Sequence, residues 1–115
     1  MSLPDDVAAV VRLVPSGCVV SYGDIAELLG TSPRVVGRVM ATHDQPDLPW
    51  WRIVRTDGGM AGLLVDRAVP HWREEGITFS GSTVRISRHR ADLGALADAA
   101  EAALGRLPGA GEPRH

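Results

Sequence analysis

Lysine is absent from this chain of 115 residues, and cysteine, tyrosine and phenylalanine each occur only once. The single cysteine, Cys18, excludes an intramolecular disulfide, which is typical of a reducing compartment, and we expect a cytoplasmic protein. No apolar run approaches the roughly 20 residues that cross a bilayer, and the N-terminus lacks a signal-peptide pattern. The four histidines are scattered, without the Cys/His spacing of a zinc site. We therefore expect no membrane contact, no metal and no cofactor.

The positive charge of the chain is carried by arginine alone, and its distribution is uneven. The net charge is −2, which by itself argues against nucleic acid. Between Pro33 and Arg90, however, nine arginines stand against six acidic residues, a local excess of three positive charges. Arginine can bind phosphate through planar, paired hydrogen bonds and can stack on bases. A solvated surface would give the same excess, so specific positions must decide.

Two short helices joined by a glycine-containing turn are predicted near the N-terminus. Ser21 is a candidate N-cap with an acid, Asp24, three residues on, and it opens a helix of about two turns. Gly30 suits the left-handed C-terminal cap, and Ser32 followed by a proline suits the start of the next helix. This pattern indicates a helix-turn-helix, whose second helix usually lies in a groove of DNA. Helix pairs of this type also occur in proteins that never touch DNA.

The length suits one domain, and the remaining patterns predict a mainly α fold with a few short strands, a winged helix-turn-helix. Further predicted elements are a helix over 4–14, a loop over 41–47, a helix over 66–76 that Pro70 breaks or kinks early, a small hairpin of 77–79 with 83–86, and an alanine-rich helix over 91–104. We expect one winged-helix domain over 1–90, a helical extension over 91–104 that docks on it, and a disordered tail over 105–115.

The adjacent tryptophans in Leu48-Pro49-Trp50-Trp51-Arg52-Ile53-Val54 are the most unusual stretch. They follow a proline and precede two β-branched residues, so they lie at a junction between a loop and a strand. Residue chemistry leaves two interpretations open. In one, the indoles form a hydrophobic plug in the core; in the other, they form a rigid aromatic binding pair.

Three ordered motifs between about Val7 and Ile86 resemble the O6-alkylguanine-DNA alkyltransferase family. Pro49-Trp50-Trp51-Arg52-Ile53-Val54 resembles its Pro-Cys-His-Arg-Val active-site motif, with Trp50 at the acceptor cysteine and Trp51 at the activating histidine. Pro15-Ser16-Gly17 followed by Ser21-Tyr22-Gly23-Asp24-Ile25-Ala26, and Pro33-Arg34-Val35-Val36-Gly37, resemble its other two motifs. Tryptophan in place of the cysteine is the mark of alkyltransferase-like proteins, which bind alkylated guanine in DNA without removing the alkyl group.

The resemblance implies roles for individual residues. Tyr22 would contact the phosphate beside the target nucleotide, and Arg34 would fill the gap that a flipped base leaves in the stack. The predicted DNA-binding residues are Tyr22, Arg34, Ser21 and Arg38, and the predicted alkylguanine pocket consists of Trp50, Trp51, Tyr22, Pro49 and Met60. Arg85, Arg88 and Arg90 are further candidates for phosphate contact.

Two other positions depart from the family pattern. The segment Met60–Val65 matches the loop that closes over the alkyl group, and here it is apolar, without the basic residue that some alkyltransferase-like proteins use to contact the base. In the family a glutamate supports the histidine. Because Trp51 replaces that histidine, we expect Glu75 to have lost its partner and to be a surface or capping carboxylate.

The resemblance thus implies a monomeric, non-enzymatic protein that recognises O6-alkylguanine in duplex DNA by base flipping and flags it for nucleotide-excision repair. Two alternatives from other classes remain. One is a sequence-specific helix-turn-helix regulator, and the other, weaker one is an active alkyltransferase that uses Cys18.

Overall fold

The computed structural model describes residues 2–105, so all but Gly105 of the predicted tail lies outside the described residues. Within that range the fold is mainly helical with short strands, as predicted. The helices are α1 (Leu3–Leu13), α2 (Tyr22–Leu29), α3 (Pro33–Thr42), α4 (Gly62–Glu75), α5 (Ile86–His89) and α6 (Leu93–Leu104). The strands are β1 (Val20–Ser21), β2 (Ile53–Val54), β3 (Phe79–Ser80) and β4 (Thr83–Val84), and Trp50–Arg52 form a 3-10 turn. No helix within residues 2–105 is long and apolar enough to cross a membrane.

The helix-turn-helix is confirmed, and the residues at the helix ends explain where α2 begins and ends and where α3 begins. The Ser21 hydroxyl accepts from the Asp24 N–H at 3.0 Å, and the Asp24 carboxylate accepts from the Ser21 N–H at 2.9 Å. This reciprocal capping box satisfies two donors at the start of α2. Gly30 ends α2 at a φ of 69°, a left-handed conformation that glycine adopts without a Cβ clash. Ser32 then caps α3 by accepting from the Val35 N–H at 3.2 Å.

Apolar side chains form two clusters of buried residues. The first joins α1, α2, α3 and α6, with Val10, Ile25 and Val36 fully buried. The predicted docking of the alanine-rich helix is confirmed, because α6 packs on α1 and buries Leu96 and Ala100. The second cluster surrounds Trp72 of α4 and includes residues of β2, β4 and the Met60 segment. Trp50 and Trp51, in the 3-10 turn, pack against this second cluster.

Helix α4 differs from its prediction in both its start and its continuity. It begins at Gly62 instead of residue 66, so most of the predicted Met60–Val65 loop is helical, and it runs through Pro70 without ending. Leu64, Ala68 and Trp72 recur every four residues and pack against the second cluster, which stabilises one continuous helix. Pro70 lies on the exposed side of α4, so its missing N–H does not leave a gap in the core.

Two strand pairs join distant parts of the chain. Strands β1 and β2 are parallel, with Val20 opposite Ile53 and Ser21 opposite Val54. Strands β3 and β4 form the predicted hairpin, which is shorter than expected because Ile86 begins α5. The hairpin also bonds to the segment Gly58–Met60: the Val84 N–H donates to the Gly58 carbonyl at 2.8 Å, and the Met60 N–H donates to the Ser82 carbonyl at 3.1 Å. Gly58 has a φ of 87°, and a Cβ there would lie 2.2 Å from the Val84 carbonyl oxygen, so only glycine fits.

Candidate nucleic-acid interface

The parallel pair of β1 and β2 brings two polar side chains together at the carboxyl ends of the strands. Tyr22 directly follows β1 and Arg55 directly follows β2, and the last residues of these strands, Ser21 and Val54, are paired. The Tyr22 ring also packs beside Gly37 of α3, where an added Cβ would lie 3.9 Å from two ring carbons. Burial raises the pKa of the Tyr22 phenol above its ordinary value, and the nearby positive charge of Arg55 partly opposes that shift. Tyr22 is therefore neutral at physiological pH and can donate its hydroxyl proton to an anion.

A cleft of about 580 Å³ lies between the C-terminal half of α3 and the start of α4. Its size falls within the range of about 300–1,000 Å³ that is usual for small-molecule sites. One wall carries Tyr22 and Gly37, and the opposite wall carries Trp50, Met60 and Leu64. The remaining lining residues are Met40, Ala41, His43, Gln45, Pro46, Ile53, Ala61 and Arg67. None of these side chains is a carboxylate, so the cleft has no negative charge of its own.

Trp50 presents an aromatic surface to this cleft. The 3-10 turn of Trp50–Arg52 holds the two indoles nearly perpendicular, with ring centroids 5.8 Å apart and planes at 83°. Such an edge-to-face contact is favourable and fixes the orientation of both rings. The guanidinium carbon of Arg67 lies 5.9 Å from the centroid of the Trp50 ring. A flat ring bordered by a cation is suited to stacking against a nucleobase.

Trp51 does not line the cleft and lies behind Trp50 instead. Its ring stacks face to face on His71 of α4, with centroids 3.6 Å apart and planes at 8°. Its indole N–H donates to Glu75 Oε2 at 2.9 Å. The expectation that Glu75 has lost its partner is therefore wrong, because an indole N–H can donate to the carboxylate from the position of an imidazole.

Glu75 is in fact the centre of a hydrogen-bond network. Besides Trp51, it accepts from the Gly17 backbone N–H at 2.9 Å, and from Arg52 at 2.7 Å to Nη2 and 3.1 Å to Nε. The carboxylate is 8% exposed and the Arg52 side chain 16% exposed, so this is a largely buried ion pair. Burial opposes ionisation, but hydrogen bonds from Arg52, Gly17 and Trp51 outweigh it and lower the pKa of Glu75. The network ties the segment after α1, the tryptophan turn and the end of α4 together.

Comparison with known proteins assigns the chain to a family. Residues 2–77 match the family described as 6-O-methylguanine DNA methyltransferase, DNA binding domain. The chain belongs to this family. A DNA base-flipping protein of Escherichia coli strain K12 is 34% identical over 95 residues, which cover 77% of this chain and 74% of that protein. A bifunctional methyltransferase/endonuclease of Picrophilus torridus is 28% identical over 82 residues, or 67% of this chain and only 28% of that protein.

The fold of this methyltransferase-family domain is shared with a solved complex. The structure of S. pombe Atl1 in complex with damaged DNA containing O6-carboxymethylguanine superposes with a TM-score of 0.68. The match covers 78% of this chain and 97% of the Atl1 chain at 24% identity, which establishes a common fold.

Of the predicted site residues, the methyltransferase-family fold brings Tyr22, Trp50 and Met60 together around the cleft. Pro49 is buried beneath the tryptophan turn, and Ser21 is buried with its hydroxyl engaged in the α2 cap. The two arginines predicted to bind DNA, Arg34 and Arg38, are exposed on α3.

The arginines predicted to lie near phosphate differ in their surroundings. Arg85 and Arg88 are exposed, whereas the guanidinium of Arg90 pairs with Asp24 at 3.1 Å. That pair ties the segment before α6 to the capped start of α2.

Three side chains near the site were missed from the sequence: Arg55, Arg67 and His71. Arg55 could have been found by extending the strand pairing, but the sequence does not reveal that β1 and β2 are neighbours. Arg67 and His71 depend on where α4 begins and which side of it meets the tryptophans. The periodicity of Leu64, Ala68 and Trp72 was the available signal for that orientation.

Proposed function

We propose that this protein binds O6-alkylguanine in duplex DNA by flipping the base into the cleft beside Trp50, without removing the alkyl group. The observation that carries the proposal is an indole, and not a thiol, at the wall of a cleft that opens between the second helix of a helix-turn-helix and α4. A base inside a duplex cannot reach such a cleft without leaving the stack. The E. coli relative, a DNA base-flipping protein, and the damaged DNA bound to Atl1 support this proposal.

The chemistry of the side chains at the site supports the proposed absence of alkyl transfer. Transfer needs a nucleophile that bonds to the alkyl carbon, and an indole ring is not one. Cys18 lies at the end of the turn after α1 and is not among the residues that line the cleft. The side chain at position 51 that donates to Glu75 is an indole, which cannot take a proton from a thiol as an imidazole does.

The roles of the DNA contacts follow from position. Unstacking a base costs a few kcal/mol, and a side chain that enters the vacated space offsets part of that cost. Arg34 is the second residue of α3 and is exposed, so it can extend from the helix into the duplex. Tyr22 and Arg55 can hold the phosphate of the extruded nucleotide at the edge of the cleft. The protein acts as a monomer in this scheme, and the resulting complex marks the lesion for nucleotide-excision repair.

The decisive experiment compares binding to two duplexes of one sequence, with O6-methylguanine or guanine at a single position. Fluorescence anisotropy should give tighter binding to the methylated duplex. Trp50→Ala should lower the affinity ratio about tenfold, since stacking on an aromatic ring is worth about 1–3 kcal/mol per base. Trp50→Phe, which keeps an aromatic ring, is the matched control and should retain most of the ratio. Equal affinity for both duplexes would instead favour a sequence-specific regulator.

Base flipping needs its own readout. With 2-aminopurine next to the lesion, extrusion of the neighbouring base raises the fluorescence, and Arg34→Ala should reduce that rise. Arg38→Ala on the same exposed helix is the control and should leave the rise unchanged while weakening binding slightly. The repair role is tested by incision of the alkylated duplex in a reconstituted nucleotide-excision system, which the protein should accelerate.

A further inference from the structure

Arg67 is the cationic side chain at the edge of the cleft whose role is still unassigned. It is the sixth residue of α4, and its guanidinium borders the cleft over the face of Trp50 at 5.9 Å. The arginines that form ion pairs within residues 2–105 are Arg12, Arg52 and Arg90. Arg67 has no carboxylate partner in that part of the chain, so its hydrogen-bond donors face solvent and the cleft.

The other lining residues leave the charge of Arg67 uncompensated. They are apolar except for Tyr22, His43 and Gln45, and they include no aspartate or glutamate. Nδ1 of His43 accepts from the Gln45 backbone N–H at 3.2 Å. A negatively charged group in this cleft would therefore meet one guanidinium and no opposing carboxylate.

We propose that the cleft prefers O6-alkylguanines whose alkyl group carries a negative charge, such as O6-carboxymethylguanine, and that Arg67 is the residue that determines this preference. The inference rests on the proposed function, since it concerns the same bound base. In this proposal the O6 substituent of a base beside Trp50 enters the part of the cleft that Arg67 borders, because both side chains line the cleft and lie 5.9 Å apart. A carboxylate there forms a charge-assisted, paired hydrogen bond with the guanidinium, whereas a neutral alkyl group leaves Arg67 hydrated. Because Arg67 is exposed, solvent screens the pair and the gain is modest.

The test isolates charge from size. Three duplexes of one sequence carry O6-carboxymethylguanine, its neutral amide counterpart O6-carbamoylmethylguanine, or guanine. The wild-type protein should bind the carboxymethyl duplex about fivefold more tightly than the amide duplex, the magnitude of a screened ion pair. Arg67→Gln should bring that ratio to one, and Arg67→Lys should keep part of it.

Arg73→Gln is the matched control. Arg73 also lies on α4 with its guanidinium over an aromatic ring, 5.8 Å from the centroid of Phe79, but it does not line the cleft. Its substitution should leave the carboxymethyl preference unchanged while altering the net charge of the protein by the same amount. A general electrostatic effect of the protein on an anionic lesion would respond to both variants equally.

Each contrary outcome identifies a different error. The proposal is overturned if the wild-type protein binds the carboxymethyl and amide duplexes equally, or if the carboxymethyl preference survives Arg67→Gln. In either case, tighter binding of both adducts than of guanine leaves the proposed function intact. If Arg67→Gln weakens binding to all three duplexes equally and flattens the salt dependence, Arg67 contacts a phosphate instead. If none of the adducts is preferred over guanine, the proposed function itself fails.

Discussion

Replacement of Glu75 by glutamine removes one negative charge from the centre of the network that supports the tryptophan turn. Each carboxylate oxygen accepts two short hydrogen bonds: Oε1 from the N–H of Gly17 and Nε of Arg52, and Oε2 from Nε1 of Trp51 and Nη2 of Arg52. A glutamine has one oxygen and one NH₂ group. Whichever way the amide is turned, its NH₂ group faces two donors and cannot accept from either.

The magnitude follows from that count. Two hydrogen bonds to a charged acceptor are lost, each contributing about 1.5–3 kcal/mol, and the guanidinium of Arg52 is left with weaker acceptors. Arg52 keeps its hydrogen bond to the Val14 carbonyl at 2.9 Å, and water reaches part of the pair, so the lower end applies. We expect Glu75→Gln to lower the free energy of unfolding by about 3 kcal/mol, which corresponds to a fall of about 12 °C in Tm.

The same substitution has a pH signature. The pKa of Glu75 is lowered in the folded protein, so its ionised form stabilises the fold above the unfolded-state value near 4.5. That contribution is lost as the pH falls below 4.5 through the lower, folded-state pKa. The difference in unfolding free energy between wild type and Glu75→Gln should therefore be constant from pH 6 to 8 and shrink below about 4.5.

Urea titrations at several pH values measure both effects. Glu74→Gln is the control, because it removes the same charge from the neighbouring, exposed position. It should change the free energy of unfolding by less than about 0.5 kcal/mol. If Glu75→Gln is as mild as Glu74→Gln, or if its effect does not depend on pH, the network does not stabilise the fold and the reasoning is refuted.

Two further predictions concern the DNA interface. Arg55→Ala and Arg85→Ala should each reduce the slope of log affinity against log salt by about one unit if the two arginines touch phosphate. Arg12→Ala, which removes an arginine of α1 paired with Asp47, is the control and should leave the slope unchanged. Unchanged slopes in the first two variants would mean that Arg55 and Arg85 are solvated and do not contact DNA. Wild type and Trp50→Cys should take up little or no radiolabel from methylated DNA. The double variant Trp50→Cys with Trp51→His should recover slow transfer, because the side chain at position 51 already reaches Glu75. Label on the wild-type protein would contradict the non-enzymatic proposal.

The parts of the fold that could be predicted are those determined by neighbouring residues. The caps at Ser21 and Ser32 depend on a side chain that accepts from an N–H three positions later, and Gly30 ends α2 because glycine adopts the left-handed conformation; the sequence displays all three directly. The start of α4 was predicted wrongly because the loop of the related family was carried over to Met60–Val65. The spacing of apolar residues from Met60 to Val65 instead favours a helix in this segment.

The site was less predictable, because its contacts cross the sequence. Glu75 receives hydrogen bonds from residues 23, 24 and 58 positions away, and no local pattern reports such distances. Assigning Glu75 as partnerless rested on the missing histidine alone and overlooked the N–H of the indole that replaced it. The proximity of Arg67 to Trp50 likewise depends on how α4 is rotated about its axis, which side-chain packing determines.

The hydrogen bonds between Gly58–Met60 and the β3–β4 hairpin make the wing and the wall of the cleft a single mechanical unit. Met60 lines the cleft, and its backbone is bonded to Ser82 in the turn of the hairpin. The absence of a Cβ at Gly58 permits the close approach of this segment to the Val84 carbonyl. In the proposed DNA complex, a force on the hairpin would therefore be transmitted to Met60 at the wall of the cleft without an intervening hinge. In that complex, phosphate contact by the β3–β4 hairpin and recognition of the lesion in the cleft would be coupled, and we expect a substitution in the hairpin to change selectivity for a base that it never touches.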